Sequence, residues 1–227
     1  MVAAHDLALT TLSPLRPCML SPRTSLTCSA SDVLHLAGES QSSIFVPHSS
    51  KTISACLGTF LENEDSDEYL LGSHSATKAA DGQWIVTQDP VEWFSISVQP
   101  VFRQVIMRPM GECSVEVRVL DAMLDVAKGG RVASLVDTGM TKAMSRASMG
   151  GGTIVRWEEA PQGGGWILSA DITLSLEVRP PRFFPIPRRI FQNVGSGIIR
   201  STCKERGDIF LRDLSRGYTV WSSDQLR

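Results

Sequence analysis

The stretch Val178-Arg179-Pro180-Pro181-Arg182-Phe183-Phe184-Pro185-Ile186-Pro187 opens the segment that decides the fold, a run reaching Trp221 near the end of the 227-residue chain. Pro187 suits the first turn of a helix, where its missing N–H would have no partner in any case. Ile190, Val194 and Ile198 then recur every four residues. Phe210, Leu214 and Tyr218 resume that spacing, and Trp221 follows three residues later. Such spacing places them on one face of a 3.6-residue period. Arg188, Arg189, Arg200, Lys204, Arg206, Arg212 and Arg216 supply a polar face. The middle is thin: Gly195, Gly197 and Gly207 each cost about 1 kcal/mol relative to Ala in a helix interior, and the apolar stripe fades between Ser201 and Gly207. Two arrangements fit. One is a pair of helices broken near Gly207. The other is a single helix held at both ends, whose thin middle lines a cavity.

Working outward, the segment from about Glu39 to Glu177 reads as strands and turns with a short helical insert. Ser40–Val46 is a first strand, ended by Pro47. Ser49 or Ser50 caps a helix over Lys51–Leu61, and an acidic turn (Glu62, Glu64, Asp65, Asp67, Glu68) leads to a second short helix ending near Leu71. That acidic patch lacks the residue order of an EF-hand calcium loop. Strands are predicted at Trp84–Thr87, Trp93–Val98 with Pro100 as a break, Val101–Arg108, Val115–Leu120, and Arg131–Val136 after a Lys128-Gly129-Gly130 turn. A Met-, Ser- and Gly-rich loop, about residues 138–152, precedes Thr153–Trp157. Gly163–Gly165 then turns the chain into Trp166–Val178. The expected class is therefore α+β: a curved antiparallel sheet wrapped around a long C-terminal helix, with two short helices after the first strand. An antiparallel sheet with one apolar face must cover it, and the terminal helix is the element long enough.

Composition narrows the function. The net charge is -2 and 42% of residues are hydrophobic. The near-neutral balance gives no case for nucleic acid as a partner, and no run is apolar enough to span a membrane as a helix. Residues 1–37 are rich in Ser and Thr, carry Arg16 and Arg23, and are poor in acids. This is the composition of an organelle transit peptide, with a plastid favoured and a mitochondrion the alternative; a plain disordered leader is the bland reading. Residues 38–227 form one domain. Cys18, Cys28, Cys56, Cys113 and Cys203 show no C-x-x-C spacing, and no cofactor or metal site is expected.

The element order resembles the helix-grip fold of the START-like, or polyketide-cyclase-like, superfamily. The C-terminal segment carries a closer resemblance. Leu176-Glu177-Val178-Arg179-Pro180, Phe183-Phe184-Pro185-Ile186-Pro187, Gly195-Ser196-Gly197 and Asp213-Leu214-Ser215-Arg216-Gly217-Tyr218-Thr219-Val220-Trp221 look like a domain family of unknown function found in cyanobacteria and photosynthetic eukaryotes. The resemblance covers roughly residues 40–222, its specific part being the final fifth. It implies a START-like fold and, with this leader, a plastid setting. The family offers no agreed catalytic residues to carry over.

Catalytic motifs are weak. Gly150-Gly151-Gly152-Thr153 lacks Gly-Lys-Ser/Thr and precedes a strand, so it is no P-loop. Gly195-Ser196-Gly197 lacks the third glycine of a dinucleotide fingerprint, Arg200 standing there. His48 and His74 lie in turns. Asp121, Asp125 and Asp171 lie on or beside strands, and nothing pairs them. Met140, Met144 and Met149 suit an adaptable loop over a pocket mouth or at a membrane, or a plain disordered loop. In a helix-grip fold, concave-face residues line the cavity. The candidate ligand-binding set is Trp93, Ser95, Ser97, Trp157, Gly195, Gly197 and Ile198, with both glycines expected to face the sheet. The leading expectation is a non-enzymatic carrier for a hydrophobic ligand: a lipid, quinone, carotenoid or tetrapyrrole. The alternatives are a scaffold or assembly factor for a thylakoid complex or membrane surface, using Arg188, Arg189, Arg200 and Arg206, and a cyclase- or hydrolase-like enzyme with an ionisable cluster in its cavity.

Overall fold

The computed structural model describes residues 33–48, 56–72, 75–93, 96–127, 142–180 and 187–225, with residues 92, 93, 96, 126 and 127 described by their backbone alone. The leader through residue 32, the caps expected at Ser49 or Ser50, His74, Ser95, the 128–136 turn and strand, Met140 and most of the proline hinge lie outside them.

Among the described residues, eight strands form a single antiparallel sheet. They are β1 (Leu34–Pro47), β2 (Ala76–Lys78), β3 (Trp84–Thr87), β4 (Val91–Trp93), β5 (Ile96–Met107), β6 (Ser114–Ala127), β7 (Ser148–Glu159) and β8 (Gly165–Val178). Their order is β1-β8-β7-β6-β5-β3-β2, with β4 folded onto β5. Two short helices, α1 (Leu57–Glu62) and α2 (Asp67–Leu70), follow β1, and one uninterrupted helix, α3 (Arg188–Asp224), closes the described chain. This is the helix-grip architecture, and it resolves the break expected near Gly207 in favour of one helix.

The β7–β8 hairpin pairs Trp157 with Leu168 and Glu159 with Trp166. Its turn has positive φ at Gly163 and Gly164, where a side chain would be strained. Three boundaries differ from expectation. β1 begins at Leu34, not Ser40, and Leu34 and Leu36 are buried opposite Val178 and Leu176; the domain therefore starts before residue 37. β7 begins at Ser148, so the glycines at 150–152 are strand, not loop. They belong there because a Cβ on Gly152 would lie 2.8 Å from the Val117 carbonyl of the neighbouring strand. Pro100 does not break β5. On that side of β5, β4 pairs only as far as Val98 and β3 starts at Val101. The missing N–H falls in this gap, where the Pro100 carbonyl still accepts from Gln88 N–H at 2.9 Å. A bulge leaves Leu120 of β6 unpaired opposite the Arg103–Gln104 step, and such bulges bend a strand and raise its twist.

The interior divides in two along α3. Its C-terminal half (Leu211, Leu214, Tyr218) packs with α1, α2, Val115, Val155 and Trp157. Its N-terminal half (Phe191, Ile199, Cys203) packs with Leu34, Leu36, Leu176 and Met144. Arg108 ties α1 and α2 to the end of β5. Its guanidinium donates to Leu61 O (2.9 Å), Asn63 O (3.0 Å), Ser66 Oγ (3.1 Å) and the carboxylate of buried Asp67 (2.5 Å). Removing it would strand a buried carboxylate, at about 3–5 kcal/mol.

The buried stripe of α3 is Phe191, Gly195, Ile199, Cys203, Gly207, Leu211, Leu214, Tyr218 and Ser222. Over the first half this is one residue away from the expected stripe: Ile190 and Val194 are exposed, at 54% and 43%. The reason is steric. Here α3 lies directly on β1. A Cβ on Gly38 would stand 2.6 Å from Arg200 N, and one on Gly207 would press on Ile172 and Ser42 at 3.2 Å. With helix and strand this close there is no free room in this seam for a Cβ at positions 38 and 207, and both are glycine. Gly195 is buried, away from solvent as expected. Gly197 is not: it is exposed, and a Cβ there would meet nothing within 4 Å.

Two glycine substitutions should therefore act in opposite directions. Gly197→Ala should stabilise the fold by up to about 1 kcal/mol through helix propensity. Gly38→Ala should destabilise it by about 1–3 kcal/mol through overpacking against helix backbone. Urea titration followed by circular dichroism measures both, and the same sign for the two would contradict the seam.

Candidate functional site

Because α3 lies against β1 at one side of the sheet, a gap remains between the helix and the central strands. It is a cavity of about 240 Å³. The helix contributes Ile198, Ile199, Thr202 and Cys203, and the sheet contributes Val98, Phe102, Gln104 and Val117 from β5 and β6 and Ile172 and Leu174 from β8. Met144 and Met149 complete the wall. Met144 is buried and packs in the core; of the three methionines expected over a pocket mouth, at a membrane or in a disordered loop, Met144 and Met149 line the cavity.

Ionisable side chains in the lining are Asp89, Cys203, Arg206 and Asp213. Arg206 Nη1 pairs with Asp89 Oδ2 at 3.1 Å, joining α3 to the loop between β3 and β4, and both side chains reach solvent. This pair and the mostly apolar walls behind it describe a pocket that shields an apolar body and keeps its charges at the rim. Burial pushes the Cys203 thiol above its ordinary pKa, which disfavours the reactive thiolate.

Of the expected site residues whose side chains are described, Ile198 lines the cavity and the others do not. Trp157 is buried, but its indole Nε1 lies where a Cβ on Gly58 would be 3.0 Å away, so it packs under α1 in the other half of the core. Ser97 has the opposite strand parity from Val98 and Phe102 and points away from them. Gly195 is buried, and Gly197 faces solvent. The side chains of Trp93 and Ser95 lie outside the described residues. Sequence reasoning missed Gln104, Thr202, Cys203 and the Arg206–Asp89 pair. Gln104 shares the parity of Val98, Phe102 and Ile106, a phase signal that flags an inward polar residue.

The candidate acids and bases lie elsewhere. Asp121 and Asp125 are exposed, and Asp171 pairs with Arg156 across β7 and β8. Exposed His48 stacks near Trp166 at 5.4 Å. Among the described residues, no three His, Cys, Asp or Glu side chains are grouped to hold a metal.

No protein-family model matches the chain, and no curated protein matches it in sequence. Solved structures similar to it include a conserved protein of Geobacillus kaustophilus (10% identity, 83% of this chain and 96% of that one, TM-score 0.36). A putative uncharacterised protein of Rhizobium leguminosarum (8%, 82% and 97%, TM-score 0.39) and the Zhui aromatase/cyclase of a Streptomyces species (9%, 85% and 96%, TM-score 0.36) are further examples. At these scores the likenesses carry nothing about function, and the architecture stands on this chain's own strand order and register.

The position of Cys203 gives a direct reading of the cavity. At pH 8 iodoacetamide should alkylate exposed Cys113 well before Cys203, because burial both blocks access and raises the thiol pKa. Peptide mass spectrometry over a time course checks this; equal rates would mean that the cavity is open to solvent.

Proposed function

We propose that the chain is a non-enzymatic binding protein for a hydrophobic small molecule, held between α3 and the concave face of the sheet. The observation that carries this reading is the mostly apolar cavity itself, placed where the helix and the central strands separate. The seam with β1 and the two flanking core clusters fix its walls without filling it. A lipid, quinone, carotenoid or tetrapyrrole is the proposed class of cargo. Ionisable groups in the described lining are the Arg206–Asp89 pair, Asp213, which is paired with Arg216, and one protonated thiol, which favours binding over acid–base chemistry. The scaffold reading relied on a free basic face, and one of its four arginines, Arg206, is engaged by Asp89.

We further propose that the protein acts in the plastid, in the stroma or at the thylakoid surface, as a member of the plastid and cyanobacterial family that its C-terminal motifs resemble. The support is the hydroxyl-rich, acid-poor leader together with those motifs. Residues 1–37 fused to a fluorescent reporter should be imported by isolated chloroplasts; import by mitochondria instead would move the protein to the other organelle, and import by neither would remove the organellar reading.

The cargo is tested by purifying the chain after exposure to a plastid membrane extract and recording native mass spectra. A bound apolar species of defined mass is expected. Thr202→Phe, which pushes a ring into the cavity, should lose that species while keeping the helix-rich circular dichroism. Absence of any bound species from the unaltered chain would sink the carrier reading.

A further inference from the structure

Gln104 is only 8% exposed. Among the described residues, its amide oxygen is the buried side-chain nitrogen or oxygen atom that has no hydrogen-bond partner. Gln104 forms part of the cavity wall, on the strand face shared with Val98 and Phe102. The bulge at Leu120 lies directly across from the Arg103–Gln104 step, and bulges characteristically re-aim the side chains beside them.

We infer that the cavity selects ligands that carry a neutral hydrogen-bond donor, a hydroxyl or N–H, on an otherwise apolar body, and that Gln104 reads this donor. The inference rests on the carrier reading and narrows its cargo. An unpaired buried amide oxygen lowers stability, and an apolar side chain of similar volume would remove that penalty. The penalty is relieved when a bound molecule donates to the oxygen. In this orientation of the amide its oxygen only accepts, so hydrocarbons, ethers and ketones leave it unpaired. A cationic donor would have to shed its water among apolar walls, opposite an uncharged amide, with the lining carboxylates Asp89 and Asp213 already paired to Arg206 and Arg216. A site that hydrogen-bonds a ligand hydroxyl discriminates strongly against an isostere lacking it.

Two probes isolate this contact, 1-decanol and methyl nonyl ether, which have the same number of heavy atoms and differ in having a donor. Their affinities for the full chain are measured by displacement of an environment-sensitive apolar dye. The unaltered protein should bind the alcohol about tenfold or more tightly than the ether. In Gln104→Met and Gln104→Leu that preference should fall to about one, through loss of alcohol affinity and not gain of the ether alone. The ligand-free variants should melt at or above the temperature of the unaltered protein. Equal binding of both probes by the unaltered chain overturns the role of Gln104 and leaves the cavity reading intact. Binding of neither overturns both. A clear fall in melting temperature in both variants would mean that the amide has a structural partner, and that outcome also overturns the inference.

Discussion

The contact between α3 and β1 is the constraint from which the rest of the domain follows. β1 is an edge strand, and the outward backbone groups of such a strand need partners or cover. Here the helix supplies them. Ser196 Oγ accepts from Ala37 N–H at 3.3 Å, Gln192 Nε2 donates to His35 O at 3.0 Å, and Ser42 Oγ donates to Asp208 at 2.7 Å. Gly38 and Gly207 permit the approach that these bonds require. The helix is thereby held toward one side of the sheet, and the central strands are left at a distance that Phe102, Leu124 and the two methionines do not fully fill. The cavity is thus a by-product of edge protection as much as a dedicated chamber.

Much of this was legible in the chain, and the failures have definite causes. The β7–β8 hairpin carried its own turn glycines and alternating faces. The terminal helix carried a long period and a proline entry. What the period hid was the facing of the first half of α3. Hydropathy points to Ile190 and Val194, whereas the close approach to β1 selects Gly207, a residue chosen for size and nearly silent in hydropathy. The members of Gly195-Ser196-Gly197 serve three ends: Gly195 is buried, Ser196 accepts from the edge of β1, and Gly197 faces water. Pro100 misled because its missing N–H matters only if a neighbour wants it, and the neighbour at that point is the gap between two strands. Trp157 misled because a large aromatic residue on an inward strand face is compatible with either half of the core, and only the position of α1 decides which. Gln104 was passed over because a polar residue in a strand reads as solvent-facing unless its parity is followed through several residues.

The two halves of the interior also divide the labour of the helix. Tyr218, Leu214 and Leu211 anchor it beneath α1 and α2, where Phe60 meets Tyr69, Tyr218 and Trp221 at ring separations of 5.5 to 6.0 Å. Trp221 in turn donates to Asp65 at 2.9 Å. Phe191 and Ile199 anchor the other end against the first residues of β1. With both ends held, the middle of α3 keeps its place without filling the space beneath it, and side chains there are free to be chosen for what they present to a guest.

The pairing of β1 with β8 has a consequence in time. Leu34 sits opposite Val178, so the first strand of the domain finds its ladder only when nearly all the chain has left the ribosome, and α3, which shields its other edge, emerges later still. Contacts so distant in sequence make for slow folding. Until then β1 is an unpartnered strand with an apolar face, a state prone to aggregation and a natural client for chaperones. A chain built this way cannot close its sheet until synthesis is almost complete, so its folding is in effect an event that follows translation.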